Sequence, residues 1–215
     1  MKPISKPPIF RHYQLTIEAR DRAAFVAGGT ANLLTSLRTE PGTLAMFATH
    51  ADSAGTRNEV FELYQDEVSY QIHAQSPQFK RYGQLAQQVV RKHQMAELKP
   101  QVLVSTADGF EVSGETTNQL LLTEFTAGAQ WLMALKADWN QLHNGSLIQY
   151  AATLPATPTS WVLLSIYPNA TVLSAGQNKL QSWLAAEAIT TVRQRVLAID
   201  TMISQPNVQY VSSNE

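Results

Sequence analysis

The 215-residue chain has no cysteine, which excludes disulfides, thiolate nucleophiles and cysteine-ligated zinc or iron–sulfur centres. Charge is also sparse, at 15% Asp, Glu, Lys and Arg with a formal net charge of -1, and no basic cluster stands out. Neither nucleic acid nor an anionic membrane surface is therefore expected as a partner. There is no run of about 18 apolar residues, the length a membrane-spanning helix needs. The opening "MKPISKPPIFRH" holds three prolines and no apolar core of a leader, so the expectation is a cytoplasmic protein. No glycine-rich phosphate loop follows a strand, no Gly-x-Ser-x-Gly appears, and no His-x-x-x-His pair is present. Flavin, nicotinamide and metal sites thus lack support, and the expected cofactor set is empty.

What is present is enough apolar material for a core, 44% of residues, and a readable alternation of elements. "FRHYQLTIEA" alternates as a strand, with Tyr13, Leu15 and Ile17 on one side and His12, Gln14 and Thr16 on the other. Asp21 can cap a helix that runs to Pro41-Gly42, with Gly28-Gly29 inside it predicting a close helix contact or a kink. "TLAMFATH" and "EVFELYQ" read as strands. Asp66 and Ser76-Pro77 read as two successive helix starts, the second helix continuing to about Lys92. "PQVLVSTADGFEVSG" looks like a connecting hairpin turning at Asp108-Gly109. Thereafter come a strand, a tryptophan-bearing helix, two strands, and a helical stretch from Asn178 to about Ile203 with Val192, Val196 and Ile199 inward.

The order of elements occurs twice. "TEPGTLAMFATHAD" sets against "LHNGSLIQYAATLP", and "SPQFKRYGQLAQQ" against "QNKLQSWLAAEAI", with apolar positions and stop signals in step. The reading is α+β: two ferredoxin-like β-α-β-β-α units, at residues 10–95 and 117–205, joined by a segment at 96–116. Their sheets face each other to form an α+β barrel, since each bare sheet face must be covered. Two copies in one chain can close the barrel alone, and self-association remains open.

Several side chains qualify as chemistry. His73, set between Tyr70 and Tyr82 in "YQIHAQSPQFKRY", can exchange a proton near neutral pH, or be an ordinary hydrogen-bonded helix histidine. Glu62 and Tyr64 share one strand face; if that face lines the barrel interior, a carboxylate and a phenol stand beside an apolar ligand. Asp66 fits a helix cap better than a catalyst. The histidines do not cluster at metal-ligand spacing, and Trp131, Trp139, Trp161 and Trp183 fit core packing better than a cofactor box.

"EPGTLAMF" followed by "EVFELYQDEVSYQIHAQSPQFKRY" resembles the antibiotic biosynthesis monooxygenases, a family of dimeric α+β barrels. The resemblance rests on Glu40-Pro41-Gly42, Glu62, Tyr64, Asp66, His73 and Phe79, and covers about residues 10–95. It implies oxidation of a small apolar or quinol-like molecule without bound metal or flavin. In that reading His73, and in second place Glu62, is the catalytic base, and Tyr64, Tyr70, His12, Phe47, Phe79 and Tyr82 contact the substrate. The same family includes haem-degrading enzymes and a sugar-phosphate isomerase, so those reactions stand as alternatives, beside a non-catalytic ligand-binding or assembly module. The second half lacks the polar set, which predicts one functional pocket per chain, in the first unit.

Overall fold

The computed structural model describes residues 4, 6–128, 130–142, 145–189 and 191–213. The first unit comprises β1 (Ile9–Ile17), α1 (Arg22–Thr39), β2 (Thr43–His50), β3 (Arg57–Tyr64), α2 (Glu67–Gln75), α3 (Pro77–Val89) and β4 (Val90–Ser105). A short β5 (Phe110–Ser113) links to the second unit, β6 (Gln119–Thr126), α4 (Trp131–Leu142), β7 (Ile148–Leu154), β8 (Thr157–Tyr167), α5 (Ala170–Ala186) and β9 (Val192–Ser204). A last strand, β10 (Gln209–Val211), pairs with β4.

Each unit is a ferredoxin-like β-α-β-β-α-β arrangement, with sheet orders β4-β1-β3-β2 and β9-β6-β8-β7. The two sheets close into one eight-stranded barrel because β4 and β9 are each shared. Residues 90–98 of β4 pair with β1 and residues 99–105 with β7, while β9 pairs first with β6 and then with β2. Closure leaves these eight strands no bare edge, the usual hazard of a small sheet.

The barrel interior is filled rather than open. Phe10, Phe47, Phe61, Leu103, Tyr150 and Leu164, none more than 1% exposed, interdigitate there. The Tyr150 ring sits about 6 Å from those of both Phe10 and Phe47. Each such side chain stabilises the fold by about 1.5–3 kcal/mol.

Local signals behave as the sequence indicates at the helix starts. Asp66 accepts a hydrogen bond from the Ser69 amide, and Ser76 caps α3 with Pro77 in its first turn. Asp21 holds the N-cap position of α1 but its side chain makes no cap bond. Gly28 is a packing glycine: a Cβ there would lie 2.6 Å from Leu85 Cδ2, so α1 and α3 touch closely.

Three expectations are corrected. Residues 192–204 are a strand, not the end of a helix, and Val196 is 45% exposed. Apolar residues occupy both faces of this strand, Val192 and Val196 on one and Leu197 and Ile199 on the other, which leaves apolar positions at helix-like spacing. The helix expected to reach Lys92 ends at Val89. The 96–116 segment is not a hairpin: residues up to 105 belong to the long β4, and β5 pairs with β9.

Candidate functional site

Alternation along β3 sends Phe61 and Leu63 into the barrel and Val60, Glu62 and Tyr64 to the other face, under the helices. Glu62 and Tyr64 therefore do not line the barrel interior. They belong to a layer between the first sheet and α1–α3. A narrow cavity of about 20 Å³ lies in that layer, walled by Phe25, Leu33, Val60 and Tyr82, with Asn32 and Glu62 as polar members. That is space for about one water molecule. The Oδ1 atoms of Asn32 and Asn58, both lining residues, are buried without a protein partner, so the cavity is polar enough to hold that water.

Glu62 accepts a hydrogen bond from the Tyr64 hydroxyl at 2.8 Å. Burial raises the Glu62 carboxyl above its ordinary range, against the opposing pulls of His73 and the Tyr64 bond. Burial, with Glu62 nearby, also lifts the Tyr64 phenol well above its ordinary value, so Tyr64 stays a donor at any ordinary pH.

Behind this pair sits Glu40, 4% exposed, at the C-cap of α1. It accepts from His73 Nδ1 at 3.0 Å, from Thr43 Oγ1 at 2.7 Å and from Gln78 Nε2. Burial by itself would raise the Glu40 carboxyl, yet the bonds from His73 and Thr43 and the neighbouring imidazole bring it below the usual range. Glu40 is thus ionised and fixes the ring: Nδ1 is committed to it, with Ser36 Oγ 3.2 Å away, while Nε2 is buried with no hydrogen-bond partner. The imidazole is wedged between Tyr64 and Phe79, at ring-centre distances of 5.3 and 4.8 Å. Gly42 permits the arrangement. A Cβ there would overlap Ser69 Oγ and Cβ, so only glycine lets the first turn of α2 approach.

The structure gathers six of the eight candidate residues. Glu62 and Tyr82 line the cavity, and Tyr64, His73 and Phe79 adjoin through ring contacts. Tyr70 packs edge-on against Tyr64 at 5.5 Å, and the Arg11 guanidinium lies over the Tyr70 ring, 3.7 Å from its centre. His12 and Phe47 are placed elsewhere, on the barrel side of the sheet. There His12 stacks on Phe61 at 4.3 Å and bonds Glu59 at 2.8 Å, and Phe47 is core. Sequence reasoning passed over Asn32, Ser36, Glu40 and Gln78 as site members. Their signal was a polar stripe, Asn32-Ser36-Glu40, recurring every fourth residue toward the buried side of α1.

The second unit answers the same positions differently. By strand register Glu62 corresponds to Ser165 and Tyr64 to Tyr167. Asn169 caps α5 as Asp66 caps α2, and seven residues past each cap stand Gly176 and His73. A Cβ on Gly176 would lie 2.5 Å from the Tyr167 ring, so that ring fills the space where the first unit holds an imidazole. No group of His, Asp and Glu among the described residues could hold a metal ion, and no described helix is long and apolar enough to cross a membrane.

Residues 8–85 match the family model of the antibiotic biosynthesis monooxygenases. No curated protein matches the sequence. Among solved structures, a Lactobacillus acidophilus protein provisionally described as a monooxygenase covers 95% of this chain and 100% of its own, with TM-score 0.84 at 18% identity. A Fusobacterium nucleatum protein described the same way covers 99% and 100%, with TM-score 0.84 at 14% identity. An anthrone oxidase-like protein covers 94% and 95%, with TM-score 0.56 at 10% identity. At these identities the likeness is one of fold, and it extends over both units.

Proposed function

We propose that this chain, an antibiotic biosynthesis monooxygenase domain completed by a second unit of the same fold, oxidises a small apolar phenol- or anthrone-like molecule in the helix–sheet layer of its first unit. The observation that carries the reading is Glu62, a buried carboxylate of raised proton affinity at the wall of the cavity. Such a group is a proton acceptor for a phenol or an activated C–H. Loss of that proton leaves an electron-rich carbanion that reacts with dioxygen; a methylene becomes a carbonyl, and the second oxygen atom leaves as water. Tyr64 holds the carboxylate in place, and the Glu40-fixed imidazole of His73 adjoins it with Nε2 uncommitted. Glu62 is the proton acceptor in this scheme and His73 the positioning and relay group, since Glu62 lines the cavity and His73 stands behind it.

Entry of a ring-sized molecule requires the lining side chains to move, because the cavity as it stands admits only water. That small volume favours the one rival kept, a module of the same fold with no turnover. Its lining, with Glu62 and Asp200 and no cation, disfavours a phosphorylated sugar, which needs a positive partner. The test is oxygen uptake with anthrone and simple hydroquinones by wild type and Glu62→Gln. The expected outcome is uptake by wild type and a loss of about 100-fold or more in the variant, the scale of general-base catalysis. Full activity in a folded Glu62→Gln protein removes Glu62 from the mechanism. No uptake by wild type with any of these substrates moves the chain to the module reading.

A further inference from the structure

The floor of the cavity crosses from one unit to the other. Val60 on β3 pairs with Ala48 on β2, and Ala48 pairs with Thr201 on β9, so the second unit supplies part of the first unit's wall. Pairing with β2 passes over Asp200. Leu197, Ile199 and Met202 accordingly join the barrel core, and the extra residue turns both Asp200 and Thr201 toward the helix side.

Both side chains then bond α1, the roof of the cavity. Asp200 Oδ1 accepts from Arg22 Nη2 at 2.6 Å, and His50 Nδ1 stands 3.2 Å from Arg22 Nη2 and 3.2 Å from Asp200 Oδ2. Arg22 Nη1 also donates to the Gly55 carbonyl, which fixes the guanidinium against the β2–β3 turn. Thr201 Oγ1 lies 2.6 Å from Thr30 Oγ1, about two turns further along the helix. Just past β9, Gln205 Nε2 donates to the Leu37 carbonyl at 3.3 Å. Helix α1 is thus fastened along its length to the second unit. The same helix leads through Ser36 to Glu40, the groups that hold the His73 imidazole.

The second unit shows that closure of the barrel does not need these bonds. There β4 passes over Gln101 in its pairing with β7, at the place matching Asp200, and Val102 matches Thr201. Gln101 bonds Thr153 and Ser212, neither of them on a helix, and Val102 belongs to the apolar cluster of Trp131 and Leu135. The unit without the polar set closes this helix–strand contact by apolar packing. The unit that holds Glu62 and His73 closes it with directed polar bonds.

We infer that Asp200 and Thr201 are positioning residues contributed by the second unit: they hold α1, through Arg22 and Thr30, at the place over the sheet where Glu40 sets His73 beside Glu62. The inference rests on the role proposed above for Glu62. Asp200 and Thr201 act through α1 and not on the reacting atoms. A helix displaced by about 1 Å at these bonds carries Glu40 and the imidazole with it, and a misplacement of that size can lower turnover about 100-fold. The second unit lacks the polar set, yet it completes the first unit's site.

The test uses the full chain as wild type, Asp200→Asn and Thr201→Val. Glu111→Gln is the control, since it weakens only the exposed bond between Arg38 on α1 and Glu111 on β5. Two quantities are read: the NMR shift of the His73 Nδ1 proton, and kcat and KM from oxygen uptake. The shift reports native geometry, so a merely stabilising role does not move it. The expected result is an upfield move of this proton in Asp200→Asn and Thr201→Val, as the bond to Glu40 lengthens, and none in Glu111→Gln. With it, kcat falls about tenfold or more while KM holds. Should Asp200→Asn not fold, Thr201→Val decides; valine keeps the shape of threonine, and the half-buried Thr30 can turn its hydroxyl to water. An unmoved proton in the folded variants, or a moved proton with unchanged kcat, overturns the inference. If wild type consumes no oxygen, the shift alone decides: a moved proton supports the positioning role, and only the reaction proposed for Glu62 falls.

Discussion

Replacing Glu40 by alanine removes an acceptor shared by three buried donors, His73 Nδ1, Thr43 Oγ1 and Gln78 Nε2. Each hydrogen bond to a charged group contributes about 1.5–3 kcal/mol, but neighbours sharing one acceptor do not add. The better guide is the removal of one partner from a buried ionic pair, about 3–5 kcal/mol. Against a total stability of about 5–15 kcal/mol this is a large fraction. Glu40→Gln keeps the shape but turns its amide toward one of the donors, so a smaller loss is expected. The sign with pH follows from the lowered Glu40 carboxyl. Its contribution is fully present above the ordinary value of 4.5 and is lost as pH falls through the lower folded value. The assay is guanidinium unfolding at pH 7 and again in acid, read by far-UV circular dichroism and by tryptophan fluorescence. All four tryptophans, Trp131, Trp139, Trp161 and Trp183, lie in the second unit, so fluorescence reports the half remote from the mutation. Because β4 and β9 are shared, both probes should move together to the lower midpoint. A loss below about 1 kcal/mol at neutral pH would refute the reasoning on Glu40. A fluorescence transition left unchanged would refute the single cooperative barrel.

Glu62→Gln should stabilise the protein at neutral pH, because the raised Glu62 carboxyl favours folding only below about its ordinary 4.5 and opposes it once pH passes the raised value; urea midpoints that do not rise between acid and neutral pH relative to wild type would contradict this. Gly176→Ala should lower stability by about 1–3 kcal/mol despite removing a helix glycine, since the buried Tyr167 ring cannot yield; a raised melting temperature would show that it can. Residues 6–105 expressed alone should form a dimer by light scattering, because Phe10, Phe47 and Phe61 would lose their cover; a stable monomer would count against the shared core.

Local chemistry was legible in the letters. Asp66 and Ser76 announce their helices through a side-chain acceptor set before an apolar run, and that signal needs no tertiary context. The two ferredoxin-like units were legible as well, because stop residues and apolar periods recur in the same order. Strand alternation also told which side chains of β3 share a face. It did not tell which face the barrel takes, since Phe61 and Leu63 and their neighbours Val60 and Tyr64 are all buried. A strand covered on both sides carries no polar edge to mark outside from inside. Closure decided that. The shared strands β4 and β9 stayed hidden because β9 carries apolar residues on both faces and because pairing partners lie in the other unit. The site was half visible for the same reason. Glu62 and Tyr64 are two residues apart on one strand, but Glu40 and His73 are 33 apart, and Asp200 lies 178 residues from Arg22. Sequence by itself determined the elements, their caps and their order, which depend on neighbours a few positions away. Only the tertiary structure decided which polar groups meet in the dark, because burial and charge compensation are properties of packed layers and not of any one segment.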